Sequence, residues 1–134
     1  MSKYLDRAKE LRMTTEKHYN CAQAAFIPFA EEKGIDTDTA YAITSNFGAG
    51  MKMASVCGAI TGGLMALGLY GADDADTIRT YYGKLKANHH DELTCAGLLK
   101  IMKEEGGEKG PHCHNMVYEA VNLVEEILTE KGII

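Results

Sequence analysis

Four cysteines, Cys21, Cys57, Cys95 and Cys113, are the residues of this 134-residue chain best suited to chemistry. A thiolate attacks disulfides and binds soft metals, whereas a buried thiol is inert. No two of the four are spaced as CxxC, which excludes zinc-ribbon and thioredoxin signatures, and no CxxCH offers covalent haem attachment. The first residues, Met1-Ser2-Lys3-Tyr4-Leu5-Asp6-Arg7, contain no apolar signal segment. A cytoplasmic, reducing location is therefore expected, where structural disulfides are rare. Metal-bound, redox-active and simply buried cysteines remain open.

The four cysteines share a local setting. Cys21 follows the candidate cap Asn20, and Cys57 follows Ser55-Val56, where an apolar helix is expected to begin. Cys95 follows Thr94, and Cys113 follows Pro111, a residue favoured in a first helical turn. A helix N-terminus offers unpaired N–H donors and a partial positive charge, and both favour thiolate over thiol. Four such ends meeting at one point would suit an anionic thiolate cluster. Among the histidines, His112 and His114 flank Cys113, and His89-His90 precede Cys95. Histidine is a common metal ligand, yet loop histidines are more often solvated. His18 and Tyr19, near Cys21, are expected to pack at the helix start. Gly48-Ala49-Gly50 begins like a dinucleotide fingerprint, but Met53 takes the place of its last glycine and no strand precedes it.

Helices are the elements that must position these residues. Tyr4, Leu5, Ala8 and Leu11 recur at helical spacing behind the cap Ser2. A second helix is expected from Cys21 to about Lys33, kinked by Pro28 or ended near Ile27, with Gly34 as a stop. Asp36 or Thr37 caps a third that runs through Phe47 to Gly48. A loop, residues 48–53, leads to an apolar helix from Val56 to Tyr70. Further helices are expected over Asp73–Asn88, Cys95–Lys103 and His112–Lys131, with residues 104–110 as a flexible loop. Strand patterns, internal repeats and linkers are lacking. The expectation is one all-α domain over 1–134, a helical bundle with a buried glycine-rich central helix.

Two partner classes are disfavoured. Met53 to Ala72 is a 20-residue stretch without charge, but five glycines interrupt it and no second span accompanies it, so stable membrane insertion is not expected. With 14 basic against 19 acidic residues the net charge is −5, and no basic run exists for nucleic acid.

The chain resembles the redox-active C-GCAxxG-C-C family, small proteins named for four cysteines and a glycine motif. The resemblance rests on Asn20-Cys21-Ala22-Gln23, on Phe47-Gly48-Ala49-Gly50-Met51, and on Cys57-Gly58-Ala59-Ile60-Thr61-Gly62 continuing to Leu69. Cys95 and Cys113 match the two isolated cysteines. The family pattern does not use the histidines. The resemblance implies a redox role. The iron–sulfur part of split-Soret cytochromes looks similar, which implies a cluster here. Their haem-binding segments are absent from this chain, so no haem role carries over.

An iron–sulfur cluster held by Cys21, Cys57, Cys95 and Cys113 is the leading expectation, passing electrons to a protein redox partner. Gly48, Gly50, Gly58 and Gly62 would supply N–H groups or room beside it, and Phe47, Met51 and Met53 would shield it. Metal-free dithiols are an alternative; Cys21–Cys57 with Cys95–Cys113 is conceivable among three possible pairings. A zinc-closed structural centre, or a metal-free helical interaction module, is another. A homodimer sharing the site is compatible with all of these.

Overall fold

The computed structural model describes residues 2–134, and these form seven α-helices and no strand. They are α1 (Lys3–Met13), α2 (Cys21–Glu32), α3 (Thr37–Thr44), α4 (Gly58–Leu69), α5 (Ala75–Asn88), α6 (Cys95–Glu104) and α7 (Lys109–Glu130). The expected all-α bundle is what forms. Ser2, Asn20, Asp36, Asp74 and Thr94 each accept a backbone N–H at a helix start.

The innermost helix is α2, buried at nine consecutive residues, Ala22 to Ala30. It packs on α4, α1, α3 and α7, and α7 crosses both α4 and α1. Pro28 does not end α2, which continues to Glu32. An interior proline costs about 3 kcal/mol. Burying Ile27 and Phe29 contributes roughly 1.5–3 kcal/mol each, so packing outweighs the lost backbone bond.

Glycines in α4 let its neighbours approach. A Cβ at Gly62 would stand 2.5 Å from the Ala22 carbonyl oxygen, so α2 lies directly against the α4 backbone. At Gly63 the same space is taken by the Tyr81 hydroxyl, which donates to the Ile60 carbonyl at 2.7 Å. The uncharged run yields a helix of 12 residues, not 20, and among the described residues no helix is long and apolar enough to cross a membrane.

Helix α3 ends at Thr44, before the expected Phe47, and two helix starts and one connection also differ from expectation. Helix α4 starts at Gly58, leaving Cys57 as its cap. Helix α7 starts at Lys109, so the preceding loop is shorter and Cys113 lies one turn inside the helix. The segment expected as a plain loop is a left-handed turn. Ala49, Gly50, Met51, Lys52 and Ala54 all have φ between 52° and 62°. The Ser55 N–H donates to the Gly50 carbonyl at 2.9 Å and closes the turn. Only glycine fits at 50, because a Cβ would stand 2.5 Å from the Ser55 backbone.

Candidate functional site

Cys21 is the first residue of α2. The Asn20 side chain accepts the Gln23 N–H at 2.9 Å, and Gln23 Oε1 accepts the Asn20 N–H at 2.7 Å. This reciprocal box fixes where α2 begins. Gln23 Nε2 also donates to the Tyr41 carbonyl at 3.0 Å, tying the start of α2 to α3.

Cys57 and Cys95 are brought together by backbone pairing. The Cys57 N–H donates to the Leu93 carbonyl at 2.9 Å, and the Cys95 N–H donates to the Ser55 carbonyl at 2.6 Å. An isolated antiparallel bridge joins Val56 to Thr94. The chain thus crosses itself where α4 and α6 begin. Cys113 reaches the same place from α7, which packs against α1, α2 and α6.

All four cysteines line one cavity of about 200 Å³, together with Arg12, Lys109, His112, Leu98 and Met116. None is in a disulfide. Cys21 and Cys113 are the interacting pair: their contact holds Cys21 protonated and draws Cys113 toward thiolate. This coupling differs from the pairing named as conceivable from sequence, Cys21–Cys57 with Cys95–Cys113. The packing of α7 on α2 decides this, and sequence order does not. Burial pushes the Cys57 thiol up to about 11, although the Ala59 and Ile60 N–H groups favour its thiolate. Burial also raises Cys95, with a further upward push from Cys113.

Arg12 is the residue that sequence reasoning missed. Its Nη1 donates to the Tyr19 carbonyl at 3.0 Å and its Nε to His114 Nδ1 at 2.9 Å. Two such bonds hold the guanidinium at the cavity wall, where its charge favours thiolate at Cys21 and Cys113. Nothing in the sequence marks it, since Arg12 occupies an ordinary last-turn position of α1. His112 and His114 are not loop residues; both lie in α7 and are half-buried. His112 lines the cavity, whereas His114 is committed to Arg12. His89 lies outside the cysteine cavity, in a neighbouring hollow that shares His112 with it, and is bonded to Glu119 at 2.7 Å.

The four glycines separate. Gly58 lines the cavity and Gly48 lines an adjoining groove. The bare face of Gly48 is filled by the Asn20 side chain, that of Gly62 by Ala22, and that of Gly50 by Ser55. Phe47, Met51 and Met53 do not line the cavity, and the left-handed turn leaves Met53 73% exposed.

Among the described residues, no group of three or more His, Cys, Asp or Glu side chains is spaced to hold a single metal ion. A structural zinc draws four ligands to about 2.0–2.3 Å from one point. The thiols instead ring a space. Four cysteine thiolates are the donor set both of iron–sulfur proteins and of structural zinc sites.

No curated protein and no solved structure matches this chain. A family profile described as "Putative redox-active protein (C_GCAxxG_C_C)" matches residues 19–127. That span contains all four cavity cysteines, the left-handed turn and the glycine-rich α4. With its distinguishing thiols gathered on one cavity, the chain belongs to the C_GCAxxG_C_C family.

Proposed function

We propose that Cys21, Cys57, Cys95 and Cys113 hold an iron–sulfur cluster through which the protein passes single electrons between protein partners in the cytoplasm. The observation that supports this is four thiols, delivered by four separate segments, on one cavity. When bound, such a cluster supplies one-electron chemistry whose potential follows ligand charge, N–H donors and burial. The chain's own residues supply those influences. The Ala59 and Ile60 N–H groups favour charge at Cys57, and Arg12 favours it at Cys21 and Cys113. Leu98, Leu99 and Met116 form the apolar part of the cavity wall.

A second reading rests on Cys21 and Cys113 lining the same cavity, with Cys113 drawn toward thiolate and Cys21 held protonated. There the Cys113 thiolate attacks a disulfide oxidant and expels one thiolate. Cys21 then gives up its proton, attacks Cys113 and expels the second. Two thiols are oxidised to a disulfide while the incoming disulfide is reduced to two thiols.

Anaerobic production with ample iron separates the two readings. A brown protein with iron and sulfide in fixed ratio to the chain, lowered by each Cys→Ser substitution, is expected. A colourless chain without iron, which loses two thiols on oxidation and yields a Cys21–Cys113 disulfide by peptide mapping, establishes the second reading instead.

A further inference from the structure

We propose that the cysteine cavity opens onto a cationic docking face, built by Arg12, Lys17, Lys52 and Lys109, that receives the carboxylate-rich face of a redox partner protein. The inference rests on the electron- or thiol-exchange reading of the cavity and names the chemistry of its partner. The chain as a whole is acidic, with a net charge of −5. The cavity is not. Its lining and that of the groove beside it include Arg12, Lys52 and Lys109 but no Asp or Glu. The two hollows share His18, Asn20 and Ala49 in their walls, so they form one continuous face. Lys17 belongs to this face as well, because its Nζ lies 3.9 Å from the ring centre of Tyr41, a groove residue.

These four cations are not tied up in ion pairs, as five of the chain's other basic residues are. Lys3, Arg7, Arg79, Lys84 and Lys131 each have a carboxylate within ion-pair distance. Among the described residues, Arg12, Lys17, Lys52 and Lys109 form no ion pair. Lys17, Lys52 and Lys109 are exposed. Glu16 and Glu108 are their sequence neighbours but line neither hollow. Met51 and Met53 flank Lys52 and are 41% and 73% exposed. Flexible, polarizable side chains among charges suit a transient protein contact.

Magnitudes explain how a positive face acts on a negative molecule. At physiological salt the Debye length is about 8 Å, so a docking partner feels the local patch more than the distant net charge. Such patches mainly raise association rates and orient encounter. The lysine positions around the mouth would orient a partner toward the thiols. A small dianion would need only the cavity, whereas Lys17 and Lys52 lie along the groove outside it, which favours an extended acidic face.

The test uses fluorescein-labelled poly-L-glutamate and the full chain, with anisotropy as readout at low ionic strength. Binding is expected, weakened at least fivefold by Lys52→Glu and by Lys109→Glu, and lost as salt rises. Lys33→Glu makes the same change in net charge at the far end of α2, about 18 Å along the helix from Cys21. It should leave binding nearly unchanged. Equal weakening by Lys33→Glu would reduce the effect to net charge and overturn the proposal. So would full competition by free glutarate at equal carboxylate concentration, which would mark a small-anion site. Binding requires neither cluster nor disulfide. A colourless, redox-silent chain that still binds poly-L-glutamate therefore refutes the proposed function and leaves the docking face standing.

Discussion

Arg12 acts on the thiols through position alone, since a guanidinium is charged at every accessible pH. Its two anchors, the Tyr19 carbonyl and His114 Nδ1, come from the α1–α2 connection and from α7. The Cys113 thiol titrates below its ordinary value, because the Cys21 proton and the Arg12 charge both favour its thiolate. In the reduced, metal-free chain, iodoacetamide should therefore modify Cys113 with a midpoint below the usual value of about 8.5. The sign for stability follows. With the folded value depressed, the thiolate stabilises the fold fully above the unfolded value, and that gain is lost as pH falls through the folded one. Replacing Arg12 by Gln should slow modification at neutral pH by up to about tenfold, the factor that one pKa unit carries, while Lys restores part of it. An unchanged rate, measured by mass spectrometry of the Cys113 peptide, would show that Arg12 only braces α1 against α7. The cysteines were visible in the sequence because their type and helix-start setting are local. Arg12 was not, because its role exists only once α1 and α7 meet.

Caps and stops located most helices, since each is a property of a few adjacent residues. Asn20 marks the start of α2, and Thr94 that of α6, at the positions observed. The start of α7 differs from expectation because Gly106 and Gly107 resemble an extended flexible loop, whereas the helix resumes by Lys109. Pro28 does not end α2, because its local penalty is outweighed by burial on every side of the helix. The glycines of α4 need sorting by neighbour, and this yields a paired prediction. Gly62→Ala places a methyl against the Ala22 backbone and should cost roughly 1–3 kcal/mol by overpacking. Gly68→Ala meets nothing within 4 Å on an exposed helical position, and should stabilise by about 0.5–1 kcal/mol. Urea denaturation of both variants measures the difference. Equal effects would mean that α2 and α4 do not rest on each other at Gly62.

The molecule has an inner group of helices and an outer one. Helices α2, α4 and α7 hold most of the large buried side chains, while α6 buries only Leu98 and touches α7 and the left-handed turn. Native-state hydrogen exchange should show α2, α4 and α7 opening only with global unfolding, and α6 opening earlier. Protection of α6 equal to that of α2 would contradict this layering. Three of the four cysteines thus hang on the inner framework and Cys95 on the outer one. The meeting of all four was not readable from spacing, because it depends on contacts between segments far apart in the chain: α2 with α7, and the crossing of residues 55–57 with 93–95.

The place of Cys113 on α7 has a consequence for biosynthesis. A ribosome releases Cys21, Cys57 and Cys95 well before Cys113, and Arg12 waits throughout for His114. The apolar interior of α2 and α4 likewise stays open until Val117, Val121, Val124 and Leu128 arrive to close it. Site and core are therefore completed by the same late helix.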